Sequence, residues 1–330
     1  MQIEEFTVDD SAVVEEVVRI AREAEAADAP WSHPTTVATF SGMLRHGWDG
    51  ETPRSFVARE ETTGEVVGVA LYWVSEWDNQ DFAWLDLTVA PAHRRRGIAS
   101  RLIEAMSDLA RETGRTKLGA DGWDNEASRA FAEKHGLSVG SQAINRRQFL
   151  ADVDPDVLAK LRDEAGHASH DYELIRIVGA TPEDLIDDVV VMTAAINDAP
   201  TDDLEIEDQV FTAERVRNYE KAIAARGQRL YHLIARQRST GDLAGHTIVA
   251  VEEERPTVGH QHDTSVLEAH RGHRLGLLLK ADMVQWLAEV EPQLASVDTW
   301  NAESNDHMIH VNELLGYRVL GRGLEFQRTL

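Results

Sequence analysis

Apolar positions along the chain fall into two kinds of run. Short runs of strand length, alternating or continuous, are QIEEFTV from Gln2, SFVARE from Ser55, GEVVGVALYWV from Gly64 and DFAWLDLTV from Asp81, with turn residues between them. Helix-spaced runs are Val14, Val17, Val18 and Ile20, behind a Ser11 that predicts an N-cap, and Ile98, Leu102, Met106 and Leu109. The plan then starts again. YELIRIV from Tyr172, a helix over 182–196, LYHLIARQ from Leu230, GDLAGHTIVAVEE from Gly241 and HQHDTSVL from His260 lead to a helix through Leu275, Leu279, Met283 and Trp286 that ends near Pro292. Residues 151–171 have no strand pattern and predict a linker with a short helix.

The repetition extends to residue identities. DLTVAPAHRRRGIA from Asp86 aligns without gaps with DTSVLEAHRGHRLG from Asp263, so that His93 matches His270 at an offset of 177. Further on, WDNEASRAFAEKHGL from Trp123 resembles AESNDHMIHVNELLGY from Ala302, with Asn125 matching Asn305 and Gly136 matching Gly316 at an offset of 180. A period this long is one domain used twice and not a solenoid. The predicted division is 1–150, a linker at 151–172, and 173–330.

Composition narrows the function. A chain of 330 residues exceeds what one hydrophobic core usually holds, which agrees with two domains. No apolar run reaches the length of about 18 residues that a spanning helix needs. The acidic start MQIEEFTVDD lacks a signal-peptide pattern, so a soluble, cytoplasmic protein is expected. Cysteine is absent, which excludes disulfides, thiolate metal sites and cysteine nucleophiles. The net charge of -25 disfavours nucleic acid and anionic membranes as partners. It also makes the two clusters of Arg and His at 93–96 and 270–274 informative.

Both clusters stand where a strand run gives way to a helix run. A helix N-terminus directs unpaired N–H groups and about half a positive charge at one spot, and so binds anions. Gly97 has no Cβ to hold a ligand off, and Arg94, Arg95 and Arg96 suit phosphate geometry. The junctions therefore predict a site for a phosphorylated ligand, most simply a diphosphate.

Arg94-x-x-Gly97-x-Ala99 resembles the Arg/Gln-x-x-Gly-x-Gly/Ala element of the GNAT acyltransferases, which cradles the pyrophosphate of acetyl-CoA. Asn125 with Gly136-Leu137, and Asn305 with Gly316-Tyr317, resemble the family's second element. The resemblance implies an α/β (α+β) architecture of two tandem folds, each a mixed, mostly antiparallel sheet flanked by helices. It implies that Val89 and Val266 end the strands that hydrogen-bond the pantetheine and acetyl group. It assigns cofactor contacts to Arg94, Arg95, Arg96, Gly97, Ile98, Ala99 and Asn125, and to Arg271, Gly272, His273, Arg274, Leu275, Gly276, Asn305 and Asn312. Two departures stand out. Arg274 replaces the family's first Gly, and Ala132 and Asn312 stand where many members have a Tyr that protonates the departing thiolate.

Acetyl transfer to an amine requires removal of a proton. Alternation places His260 and His262 on one strand face, as in the aralkylamine acetyltransferases of the same family, and Ala83 and Leu85 at the matching places cannot titrate. The second half is therefore expected to be catalytic. A structural role for the two histidines, or metal ligation by the His-x-His pair, stays open. The expected activity is transfer of an acetyl group from acetyl-CoA to a primary amine of a small molecule, without a metal. Acyl-CoA sensing without turnover, and acetylation of a protein lysine or N-terminus, are the alternatives. Two joined copies supply the pairing that single-domain relatives obtain by dimerising, which predicts a monomer.

Overall fold

The computed structural model describes all residues from Met1 to Leu330. In chain order the elements are β1 (Gln2–Phe6), α1 (Ser11–Asp28), α2 (Val37–His46), β2 (Arg54–Arg59), β3 (Val66–Trp73), β4 (Phe82–Val89), α3 (Ile98–Glu112), β5 (Lys117–Trp123), α4 (Glu126–Lys134), β6 (Ser138–Phe149), α5 (Pro155–Ala168), β7 (Tyr172–Val178), α6 (Ile186–Thr193), α7 (Ala213–Ala225), β8 (Gln228–Gln237), β9 (Leu243–Glu252), β10 (Val258–Val266), α8 (Leu275–Val290), β11 (Ser296–Ala302), α9 (Asp306–Leu314) and β12 (Arg318–Thr329). Ser11 is the first helical residue of α1 and not its cap. The cap is Asp10, whose carboxylate turns back to accept the Thr7 N–H at 2.8 Å. The helix predicted over 182–196 is α6 with a 3-10 turn on either side, Glu183–Leu185 and Ala194–Asp198.

The chain forms two compact units. One holds Met1–Ala143, Thr201–Gln209 and Gly321–Leu330, and the other Ile144–Pro200 and Val210–Leu320. The strand order is β1-β2-β3-β4-β5-β12 in the first unit and β6-β11-β10-β9-β8-β7 in the second, where β6 contributes its Ile144–Phe149 part while its start, Ser138–Ala143, belongs to the first. The first unit thus takes its last strand from the end of the chain, with Gly323–Thr329 antiparallel to Trp123–Lys117. The stretch 151–172 is more than a tether. Asp154 caps α5 by accepting from the N–H of Asp156 and Val157, and α5 lies on α8, with Ala165 fully buried and Arg162 bonded to Asp282 at 2.9 Å. This explains why α8 is apolar on all sides from Leu275 to Leu279, whereas α3 buries one stripe (Ile98, Leu102, Ile103, Met106, Ala110).

In each unit one strand pair is parallel and opens into a fork. Parallel pairing of β4 with β5 runs from Phe82↔Lys117 to Leu85↔Ala120 and stops. Beyond it β4 stays with β3 as far as Val89↔Gly68, and β5 stays with β12 as far as Trp123↔Gly323, so the two part. In the second unit β10 and β11 pair only from Val258↔Ser296 to His260↔Asp298. Past the split, the edges facing each other keep N–H and C=O groups without a sheet partner, and a ligand can take up these bonds. The units differ in one respect. β10 slips against β9 between Gln261 and Thr264, a bulge, while β4 is regular against β3 throughout.

Candidate active site: two strand forks and the loops that follow them

Each fork is followed by a turn and a helix, and the turns share a backbone. Arg95 (φ 63) and Gly97 (φ 81) are left-handed in the first, and Gly272 (φ 83) and Arg274 (φ 57) in the second. At the offset of 177, Arg95 matches Gly272 and Gly97 matches Arg274. Each turn therefore needs two left-handed residues, and each copy supplies glycine at a different one of them. Arg274 does not hold the second loop in another shape. It takes the same conformation under strain. No protein atom lies within 4 Å of a Cβ placed on Gly97 or Gly272, and the positive φ at both positions favours glycine. The N–H groups of 95–100 and of 272–277 have no backbone acceptor, which is the amide array an anion needs. Ile98 and Leu275 anchor the two helix starts in the cores. Ala99 is half-buried and Gly276 buried.

The arginines divide into two roles. Arg94 is already engaged: its Nη1 and Nη2 donate to both Asp28 carboxylate oxygens at 2.7 and 2.6 Å, and its Nε donates to the Val89 carbonyl at 3.2 Å. Arg271 repeats this, with Nε donating to the Val266 carbonyl at 3.1 Å and Nη2 paired with Asp198. These two residues tie the strand end to the loop and to a carboxylate of another element. The remaining cations differ between copies. Arg95 and Arg96 are exposed, and Arg96 has only the His93 ring at 3.5 Å. Arg274 pairs with Glu164 of α5 at 3.4 Å, the His273 ring lies 5.7 Å from that of Tyr172, and Ser169 of the segment after α5 donates to the His273 carbonyl at 2.5 Å. The first loop offers free guanidinium groups; the second has spent both of its arginines.

The asparagines of the second sequence element are helix caps. Asn125 accepts from the Ser128 N–H at 2.9 Å and Asn305 from the Met308 N–H at 3.2 Å. Asn312 is fully buried, and its Nδ2 donates to Asn301 Oδ1 at 2.7 Å. Ala132 is buried in the first core.

His260 and His262 do share a face, the one covered by α7. His260 stands opposite Ala250, which packs with Ile223 and Tyr219 of α7, and the His262 Nδ1 lies 2.6 Å from the Tyr219 hydroxyl. Both are engaged. His260 Nε2 lies 2.7 Å from Glu252, which also receives Arg255. Burial, reinforced by the charges of His260 and Arg226, pulls His262 down to about 3, so it is a weak proton acceptor at neutral pH. Burial pushes Asp263 up to about 6.

The first fork carries acid groups that the sequence did not mark. Leu85 and Ala120 point into the core beneath α3, so their neighbours Asp86 and Asp121 face the opposite side. Asp86 accepts from Trp73 Nε1 at 2.7 Å, and Asp121 accepts from Trp84 Nε1 at 2.8 Å. Glu325 of β12 is the cross-strand partner of Asp121. Asp121 reaches solvent, yet its carboxyl is crowded. Loss of water pushes it up to about 7 against the Trp84 bond, with Asp86 and Glu325 adding to the rise. Burial also raises Asp86, opposed by Trp73, and raises Glu325, opposed by Ser141. The repeat hinted at Asp86 through its match with Asp263. Asp121 and Glu325 were invisible without the fork and the late strand that completes it.

No group of three or more His, Asp or Glu side chains is placed to hold a metal ion, and no helix is long and apolar enough to cross a membrane.

Known proteins agree with this architecture. Residues 15–137 match the model of the acetyltransferase (GNAT) family. A mycothiol acetyltransferase of Geodermatophilus obscurus is 30% identical over 154 residues, which is 46% of this chain and 46% of that protein, so the match spans about half of its length. Among solved structures, a tandem GNAT protein from the clavulanic acid biosynthesis pathway, determined without acetyl-CoA, superposes with a TM-score of 0.83 at 26% identity, covering 99% of this chain and 98% of that one. A GCN5-related N-acetyltransferase from Sphaerobacter thermophilus shares the fold, with a TM-score of 0.71 at 13% identity over 99% of this chain and 95% of its own. With the strand–turn–helix loop and the fork present twice in one chain, residues 15–137 carry the GNAT acetyltransferase match and the whole chain shares the fold of a tandem GNAT protein.

Proposed function

We propose that the protein transfers an acetyl group from acetyl-CoA to a primary amine of a small molecule, and that the first unit's loop holds the cofactor. The observation that carries this reading is the array of N–H groups over 95–100 beside Arg95 and Arg96, which no carboxylate neutralises. The pyrophosphate is bound by these amides and guanidinium groups, and the pantetheine follows the free edge of β4 into the fork. The relatives named above act as support, since one is named for acetylation of a small molecule and the other for a biosynthetic pathway.

The chemistry is direct attack. A neutral amine adds to the thioester carbonyl, the C–N bond forms, and the C–S bond breaks. The departing sulfur needs no tyrosine. A thiol has a pKa near 8.5, so the thiolate leaves readily and takes its proton from the tetrahedral intermediate. Ala132, a buried methyl group, has no part in this step. The second unit keeps the fork and the loop, but Asp198 and Glu164 already hold its arginines, which supports a weaker site there.

Thiol release from acetyl-CoA with a panel of primary amines, alongside calorimetric titration with CoA, tests this reading. Turnover with at least one amine is expected. Tight CoA binding without turnover on any amine would favour a sensing role, and failure to bind CoA would end both readings.

A further inference from the structure

Acetylation of an amine requires a group that takes a proton from the ammonium form. The structure assigns that role to Asp121, at the mouth of the first unit's fork, and not to the histidines of the second; we infer this on the basis of the acetyl-transfer reading above.

Access decides which side chain can meet the amine. A thioester held by the free edges of β4 and β5 lies past Leu85↔Ala120, where the strands part. On the α3 side this point is filled by Leu85, Ala120, Ile98 and Leu102 of the core, so an amine must come from the other side. On that side the first residue past the split is Asp86 on β4 and Asp121 on β5. Asp121 is the exposed one of the two. Trp84, which lies before the split on β4, reaches across and fixes one carboxylate oxygen at 2.8 Å. The second oxygen, Oδ1, remains for the amine. This is the pairing of a base with a group that orients it.

The charged groups that bear on Asp121 favour a proton there, against the Trp84 bond. They are Asp86 from β4 and Glu325 from β12, both acidic, with Ser141 and Asp202 beside Glu325. No Lys or Arg is among them. Its carboxyl titrates near neutrality, where a general base is most effective.

The second unit provides an internal control. Ala83↔Leu118 in the first fork corresponds to His260↔Asp298 in the second, at the offsets of 177 and 180 found in the sequence. The same offset of 180 takes Asp121 to Asn301. Asn301 has the shape of Asp121 but no basicity, and it accepts from Asn312, the residue that matches Ala132. The copy with spent phosphate-loop arginines is also the copy with an amide in place of the carboxylate.

The step balances without further reactants. Asp121 takes one proton from the ammonium, and the freed amine adds to the thioester carbon. The C–S bond breaks, and the second N–H proton of the zwitterionic intermediate passes to the sulfur. The products are amide, free CoA thiol and a proton that Asp121 returns to solvent.

The test is Asp121→Asn in the full chain, with Asp121→Glu beside it. For Asp121→Asn, kcat/KM is expected to fall by roughly 100-fold or more, with the calorimetric Kd for CoA within twofold of the parent. The acid limb of the kcat/KM–pH profile is expected to disappear. Asp121→Glu is expected to regain part of the rate. Parent-like turnover by Asp121→Asn would overturn the assignment while leaving the acetyl-transfer reading intact. Loss of CoA binding in step with turnover would also overturn it, since that marks a residue needed only for folding. If the parent itself acetylates no amine, the acetyl-transfer reading falls and this assignment falls with it.

Discussion

The two strand–turn–helix loops differ in their free charge, and a ligand titration reads the difference. In the first, Arg95 and Arg96 face solvent with no carboxylate partner. In the second, Arg271 is paired with Asp198 and Arg274 with Glu164. Arg95→Ala combined with Arg96→Ala removes two free cations. Alanine keeps a Cβ on the left-handed backbone at 95, so loop shape is disturbed little. A charge-assisted hydrogen bond is worth about 1.5–3 kcal/mol when well shielded. At this exposed loop solvent screening discounts this to about 1–1.5 kcal/mol per arginine, so the pair is worth about 2–3 kcal/mol, or roughly 30- to 150-fold in Kd. The combination Arg271→Ala with Arg274→Ala is expected to change the Kd by less than threefold, because those side chains are paired before any ligand arrives. Calorimetric titration with CoA at fixed ionic strength measures both, and repeating it across salt concentrations should give a shallower slope for the first variant. The reasoning fails if the second combination abolishes binding while the first leaves it intact, or if the parent binds two equivalents equally well.

Further expectations concern backbone strain and buried charge. Gly97→Ala places a Cβ in open space but at φ 81, and is expected to lower the Tm by a few degrees, about 1 kcal/mol, whereas Arg274→Gly at φ 57 is expected to raise it by a similar amount less the weak Glu164 pair. Differential scanning calorimetry separates these, and a lower Tm for Arg274→Gly would refute the strain argument. His232 and His246 are enclosed with ring nitrogens 2.9 Å apart, and burial lowers both, His246 to about 4. Their folded pKa values lie below the unfolded value of about 6.5, so stability is full above that pH and declines on acidification by up to about 1.4 kcal/mol per pH unit for each. Asp121, Asp86 and Glu325 are raised, so their contribution runs the other way, in favour of the first unit as pH falls; in the second unit the lowered His262 adds to His232 and His246, against the raised Asp263. Hydrogen exchange at pH 7 and pH 5 is expected to show the second unit opening first in acid; the reverse order would contradict the assignment. Lys280 is buried without a hydrogen-bond partner, 4.7 Å from the Tyr317 ring, and burial lowers it to about 7. Its unfolded pKa is near 10.4, so stability is expected to rise between pH 7 and pH 9. Lys280→Met is expected to raise the Tm at pH 7 and to abolish that rise, and an unaltered pH dependence would count against the buried ammonium.

The strands and helices around each junction, the duplication, and the loop that resembles the GNAT element are all legible in the residue pattern. These depend on neighbours along the chain: apolar period, helix starts at Asn125 and Asn305, and glycine where the backbone turns left-handed. Even the departure at Arg274 was legible, although its meaning was not, because only the structure shows Arg95 and Arg274 sharing the burden that Gly272 and Gly97 lift in the other copy. The tertiary structure decided which charges are available. Arg94 meets Asp28 across 66 residues, Arg271 meets Asp198 across 73, and Arg274 meets Glu164 across 110. It also decided that the first unit's sheet ends on β12, which brings Glu325 beside Asp121, and that α5 covers α8. The physical reason is range. Backbone conformation is set by local sterics and periodicity, whereas the availability of a cation or the basicity of a carboxylate depends on whatever the fold places within a few ångströms, and those partners leave no mark in the local sequence.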